Sequence, residues 1–128
     1  MAQFFVDTSV LIAHMRQKQP TVFQKANSKY GDPVVSEIVV FELEVGARRA
    51  GRQREFDTHF AGITTYPLTQ AVLLQAADLL AALVKQNQTI GALDTFIAAT
   101  ALHHQLPLFT LNSKHFQRVP NLILLSPP

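Results

Sequence analysis

The sequence predicts an α/β sandwich built on a mostly parallel sheet, and three observations carry that expectation. Short, unbroken apolar runs alternate with longer stretches whose apolar residues recur every three or four positions. This is the pattern of buried parallel strands joined by helices. The chain has 128 residues, 48% of them hydrophobic, enough for one domain with its own core. Charged residues make up only 16%, below the roughly 25% of an average domain, which excludes a disordered chain.

Gln3–Val6 is the first apolar run. Asp7, Thr8 and Ser9 end it and are all capable caps, so a helix carrying Val10, Leu11, Ile12 and His14 follows. Pro20 opens a second helix over residues 20–29, and residues 30–33 form a turn around Gly31. Residues 33–35 are a second strand, and Ser36 opens a long helix that ends near Ala50. Gly51 punctuates the chain before a short helix over residues 52–60. Residues 63–68 read as a third strand, with Pro67 near its end, where a missing amide is tolerated. Thr69 caps the strongest helix, whose apolar stripe is Leu73, Ala77, Leu80, Ala81 and Val84. Residues 85–91 are polar and loop-like, and residues 93–104 form a further apolar helix. A fourth strand over residues 106–110, a helical turn over 113–117 and a fifth strand over 122–125 complete the chain.

Composition removes several chemistries. There is no cysteine, so disulfides, thiolate zinc sites and cysteine nucleophiles are excluded. No run approaches the roughly 18 apolar residues of a membrane span. The N-terminal run has no basic flank and is cut short by Asp7, so it is a poor signal peptide. A cytoplasmic protein without membrane contact is the expectation. Eleven basic and nine acidic residues give a net charge of +2, too small to identify a nucleic-acid binder. The positions of the acids therefore matter more than their sum.

Ligands of parallel sheets bind beyond the carboxyl ends of the strands. Asp7 follows the first strand, Ser36 and Glu37 the second, and Asn112 the fourth. Within the long helix, Glu37 and Glu44 share one face and Glu44 reaches Arg48 four residues on, an ordinary solvated stripe. Glu42 lies about 200° from Glu44 on the helical wheel, among Ile38, Phe41 and Val45. A carboxylate there is costly unless it escapes to water, pairs with an arginine or meets a cation. Asp94, with Leu93 before it and Phe96 two residues on at the start of a helix, raises the same question. Capping accounts for Asp7 or Asp94 taken alone. Three such acids at one rim of one sheet repel one another unless a cation holds them ionised. Oxygen ligands suit Mg²⁺ or Mn²⁺, and such a cluster without a phosphate-cradling glycine loop suits phosphodiester hydrolysis. His103 and His104 are adjacent, with no zinc-type spacing, and read as surface residues.

Four segments resemble the PIN-domain ribonucleases, and in particular the VapC-type toxins of type II toxin–antitoxin systems. They are Phe5-Val-Asp-Thr-Ser-Val-Leu-Ile12, Val35-Ser-Glu-Ile-Val-Val-Phe-Glu-Leu-Glu-Val-Gly-Ala47, Ile90-Gly-Ala-Leu-Asp-Thr-Phe-Ile-Ala-Ala-Thr-Ala101, and Phe109-Thr-Leu-Asn-Ser-Lys-His-Phe116 with Val119-Pro-Asn-Leu122. Each match is weak; four in order across nearly the whole chain are strong. The resemblance implies a three-layer α/β/α PIN-like domain over residues 1–128 with a central five-stranded, mostly parallel sheet. It places Asp7, Glu42 and Asp94 at the metal-binding acids of an Mg²⁺- or Mn²⁺-dependent endoribonuclease. Thr110 and Asn112 match the polar pair after the fourth strand, where relatives often carry aspartate. This chain has Asn112 and then His115, and the missing fourth acid puts a second metal in question. Leu93 stands where many relatives are polar.

The resemblance further implies an RNA substrate such as tRNA or ribosomal RNA, a VapB-like antitoxin and a homodimer. Metal-activated water would attack a backbone phosphate in line, leaving a 3′-hydroxyl and a 5′-phosphate, with Asn112 positioning water or substrate. Thr8, Ser9 and Thr110 are candidate substrate-binding hydroxyls, with capping an equal explanation for the first two. Arg48, Arg49, Arg52 and Arg54 put four arginines in seven residues, and Arg48, Arg49 and Arg52 are the candidate RNA contacts. A helix end complementing its own dipole explains the cluster as well. Phe41, Phe56 and Phe60 suit a core or partner interface better than base stacking. The competing readings are an RNA-processing nuclease outside any toxin pair, an idle partner-binding module and a phosphorylated signalling receiver. The receiver lacks its acid, since the third strand ends Tyr66-Pro67.

Overall fold

The computed structural model describes residues 2–128; Met1, included in the expected domain, lies outside the described residues. The strands are β1 (Gln3–Val6), β2 (Asp32–Ser36), β3 (Thr64–Tyr66) and β4 (Leu108–Phe109). The helices are α1 (Thr8–Arg16), α2 (Val22–Tyr30), α3 (Glu37–Ala50), α4 (Gln53–Phe60), α5 (Gln70–Lys85), α6 (Ala92–His103) and the single turn α7 (Ser113–Phe116). The sheet order is β3-β2-β1-β4, and all pairs are parallel. Consecutive residues of a strand face opposite sides, yet Phe4, Phe5, Val6, Val34, Val35, Leu108 and Phe109 are all buried. Both faces of the sheet are therefore covered, which makes the domain three layers deep.

Local chemistry sets the element boundaries. Thr21, not Pro20, caps α2: its hydroxyl accepts from Gln24 N, and the Gln24 side chain accepts from Thr21 N, a reciprocal cap. Ser36 and Thr69 accept from Val39 N and Val72 N in the same way. Gly31 joins α2 to β2 at φ 113°, where a Cβ would sit 2.3 Å from the Ala2 carbonyl oxygen; only glycine fits. The turn expected over residues 30–33 is thus compressed to Gly31, and β2 starts at Asp32.

Two expectations need correction. The sheet has four strands, not five. The expected fifth segment makes one parallel bridge, Leu108 to Leu124, through Leu108 N to Ile123 O and Leu125 N to Leu108 O, both 2.9 Å. With β4 only two residues long, its outer edge offers Leu108 alone as a partner. The third and fourth strands are shorter than expected for a related reason, since Pro67 and Pro107 bring no amide to a ladder. On α5 the stripe is rotated. Val72, Ala76 and Leu83 are buried, with Leu79 packed against the core, and Val72 and Ala76 meet Ala99 of α6. Leu73 and Val84 of the expected stripe face outward, together with Leu74, 58% exposed. Since α5 is apolar nearly all round, spacing alone does not select its inner face.

No helix among the described residues is long and apolar enough to cross a membrane.

Candidate active site

The acids meet where the chain order of the sheet reverses. β1 lies between β2, reached through α1 and α2, and β4, reached from the far end of the chain. Open parallel sheets bind ligands in the crevice beyond such a point. Asp7 follows β1 directly and Thr110 follows β4 directly, so the two residues come from opposite ends of the sequence to one spot.

Asp7 is 5% exposed. It occupies the N-cap position of α1 without making a side-chain capping bond. Its carboxylate instead accepts from Ser9 Oγ and from Thr110 Oγ1, each at 2.6 Å. Those hydroxyls are oriented from behind. Leu111 N donates to Ser9 Oγ at 3.1 Å, and Asn112 N donates to Thr110 Oγ1 at 2.9 Å. With an N–H filling each oxygen's lone pair, both hydroxyl protons point at Asp7. The loop after β4 is thereby latched to the first turn of α1.

Glu42, half-buried on α3, accepts from Thr8 Oγ1 at 2.6 Å. Asp94, in the first turn of α6, lies 3.6 Å from His115 Nδ1, and the Asn112 amide nitrogen lies 3.1 Å from that same ring atom. Burial pushes the Asp7 carboxyl above its ordinary pKa, the Ser9 and Thr110 hydroxyls and the backbone N–H of Val10 pull it partly back, and the charge of Asp94 raises it further. Glu42 is raised by burial, partly offset by Thr8, and raised again by Asp94 and Asp7. The three acids are therefore close enough to feel one another's charge.

That donor set, all oxygen and mutually repelling, is the kind a hard divalent cation relieves. The side chains do not converge on one point: among the described residues no three His, Asp or Glu side chains are arranged to hold a metal. Glu42 is turned to Thr8 and Asp94 faces His115.

The remaining expected site residues separate into two groups. Thr8, Ser9 and Thr110 lie at the acids, and their hydroxyls are engaged there. Asn112 is exposed at the rim, and Leu93 is exposed beside Asp94. The arginines lie farther along, at the end of α3 and the start of α4. Arg48 pairs with Glu44 at 2.5 Å and Arg52 pairs with Glu55. Glu37, on the expected solvated stripe, accepts from Leu68 N at 2.6 Å and holds the chain after β3.

Sequence reasoning missed His115 as a neighbour of Asp94; its spacing of three from Asn112 on a helical turn was the available signal. His103 is exposed as expected. His104 is not a free surface residue: it packs 4.3 Å from Tyr66 between ring centroids, near Phe5. A hollow of about 380 Å³ lies between α3, α4 and β3, lined by Val40, Leu43, Phe56, Phe60 and Ile63, with Glu44, Asp57 and Thr65 also on its wall. None of Asp7, Glu42 and Asp94 lines it. Phe41 stands outside it, 55% exposed.

Comparison with known proteins identifies the family. The PIN domain family matches residues 4–122. A ribonuclease VapC of Rickettsia bellii is 35% identical, with 96% of this chain and 95% of that protein covered. A tRNA(fMet)-specific endonuclease VapC of Shigella flexneri is 25% identical over 95% of this chain and 96% of its own length. The fold is shared with a DNA-bound VapBC structure from Salmonella typhimurium at a TM-score of 0.85, with 21% identity and 98% of each chain covered. Family match, near-full-length identity and fold agree: this chain belongs to the PIN-domain family, among the VapC ribonucleases.

Proposed function

We propose that this chain is the toxin of a VapB–VapC-type pair, an endoribonuclease that hydrolyses RNA phosphodiester bonds with Mg²⁺ or Mn²⁺ held by Asp7, Glu42 and Asp94. The observation that carries the reading is the approach of these acids to the carboxyl end of β1, near enough that the charge of Asp94 bears on both Asp7 and Glu42. A bound divalent ion supplies an activated water and neutralises charge on the phosphate.

The chain's own groups do the rest. Ser9 and Thr110 hold Asp7 in one orientation, as groups behind metal ligands do. Thr8 does the same for Glu42. Asn112 and His115, exposed at the rim, meet the substrate or its water. The stretch after β4 carries no fourth acid, so one metal rather than two is the resting state. The substrate is a structured RNA such as tRNA or ribosomal RNA, contacted by Arg48, Arg49 and Arg52. The names of the relatives, among them a tRNA-specific endonuclease and VapBC complexes, support an RNA substrate and a VapB-like antitoxin. We further propose one domain over residues 1–128, a cytoplasmic location and a homodimer. The exposed Leu73, Leu74 and Val84 of α5 offer an apolar surface for the second copy.

The test is cleavage of end-labelled tRNA and ribosomal RNA in Mg²⁺, in Mn²⁺ and in EDTA. Cleavage that needs the metal and is lost in Asp7→Asn is expected. Equal cleavage by wild type and Asp7→Asn, or cleavage unaffected by EDTA, sinks the assignment.

A further inference from the structure

We propose that the face of α3 from Glu42 to Arg49 is a track along which the RNA backbone leaves the acid rim, with Gly46 giving it room and Arg49 holding the neighbouring phosphate. The proposal rests on the nuclease reading above.

Gly46 is the first observation. It lies inside the 14-residue α3, where glycine is the least favourable residue after proline. Nothing within the chain asks for it: an added Cβ would meet no atom within 4 Å, and its φ is not positive. A helix interior that forgoes a side chain facing open space has room for something outside the chain.

Arg49 is the second. Two of its neighbours in the cluster are occupied, Arg48 by Glu44 and Arg52 by Glu55, while Arg54, also without an ion pair among the described residues, lies beyond the end of the helix on α4. Arg49 is exposed and has no carboxylate within ion-pair distance among the described residues. A bare guanidinium is the group that takes a phosphate in two parallel hydrogen bonds.

Helical geometry joins the two to the acids. At about 100° per residue, Gly46 lies roughly 40° from Glu42 around the axis and Arg49 roughly 20° to the other side. They stand about 6 Å and about 10 Å farther along it. Helical side chains lean toward the N-terminus, so Arg49 reaches back toward Glu42. Phe41 and Val45, exposed on the flank of the same face, offer apolar contact to a ribose or base. An acid centre that takes one phosphate, an open glycine and a free cation thus lie in line on one helix. Charge complementarity and continuity with the rim favour an RNA strand over a protein segment as the occupant.

The test is steady-state cleavage of end-labelled tRNA in Mg²⁺ across a salt series, with thermal unfolding alongside. Gly46→Ala raises Tm by about 4 °C, because the methyl meets nothing in the chain. Gly46→Leu folds and raises KM about tenfold with kcat little changed. Arg49→Ala raises KM at low salt and makes the slope of log affinity against log salt shallower by about 0.7. Lys25→Ala, an exposed cation on α2, keeps the wild-type slope. Gly46→Leu and Arg49→Ala variants that match the wild-type KM at every salt concentration overturn the track while the nuclease reading stands, as when a protein partner alone covers this face. A wild-type chain that leaves RNA intact overturns the nuclease reading, and the track with it.

Discussion

The acid rim and the outer face of α5 both place residues where their polarity does not belong, in opposite senses. At the rim a carboxylate is buried, and two hydroxyls, each fixed by a backbone N–H, aim their protons at it. On α5, Leu73, Leu74 and Val84 face outward, at little cost in free energy. The two kinds of exception differ in information content. A buried charge requires partners, because an uncompensated one is expensive. An exposed leucine requires nothing, because much of any protein surface is apolar.

The largest effect is expected at the rim. Asp7→Asn lowers RNA cleavage by about 10³-fold or more, beyond the 10- to 100-fold typical of losing a group that merely supports a metal ligand. Without metal, the same variant is at least as stable as wild type at pH 7. The sign follows from the raised pKa of Asp7. The folded chain holds this proton more tightly than the unfolded chain, so metal-free stability falls as pH rises from the ordinary carboxylate range through the raised value. Asparagine removes that contribution. Thermal unfolding in EDTA at pH 7 checks it, and a clear loss of stability in Asp7→Asn would show that the charge is compensated by something other than metal.

The next effect separates the two faces of α5. Leu83→Ala removes a side chain that is 1% exposed and is expected to cost about 3 kcal/mol in urea unfolding. Leu73→Ala on the outer face costs under about 1 kcal/mol. If the two cost the same, the outer face is covered in solution, and a second copy of the chain is the first candidate to cover it.

The same contrast explains what the sequence disclosed. Asp7 stood out because it directly follows an apolar strand, and Glu42 and Asp94 because they sit among apolar neighbours. The order of strands and helices was legible because short apolar runs and caps recur along the chain; Ser36 and Thr69 cap where expected. The inner face of α5 was not, because Leu73, Leu74, Leu79, Leu80, Leu83 and Val84 surround the helix and periodicity has no polar side to exclude. The length of β4 depends on which partners Leu108 and Phe109 meet, which is tertiary information. His115 sits in a polar stretch with Asn112, Ser113 and Lys114. Only folding of that turn against the start of α6 brings it to Asp94.

A smaller effect tests whether the hydroxyls hold the rim together. Thr110→Val removes the donor to Asp7 Oδ2 and the acceptor for Asn112 N while keeping the shape. A hydrogen bond to a charged group is worth about 2 kcal/mol, so a loss near that size is expected, with metal affinity down about 10- to 100-fold. Calorimetric titration with Mn²⁺ reads the second quantity separately from folding. A Thr110→Val chain with wild-type stability and wild-type Mn²⁺ affinity would show that Ser9 alone orients Asp7.

The smallest effect concerns a half-buried polar contact away from the acids. His14 Nδ1 lies 2.6 Å from Thr21 Oγ1. That oxygen also accepts from Gln24 N, and its hydroxyl can still donate to a bare Nδ1 of neutral imidazole. Burial, and then the charge of His59, hold His14 below the usual histidine pKa. As pH falls through the ordinary histidine value near 6.5, the unfolded chain takes up a proton that the folded chain refuses. Stability therefore drops until the folded pKa is reached. His104, also lowered by burial, adds a contribution of the same sign. Asp7 and Glu42 cannot mimic this, because their raised pKa values make acidification favour the fold. Urea unfolding at pH 7.5 and 5.5 should thus show a loss in wild type that is reduced, not abolished, in His14→Gln. If the variant loses as much as wild type, the Thr21 contact does not hold His14 neutral, and the pairing of buried polar groups with fixed hydroxyls is confined to the rim.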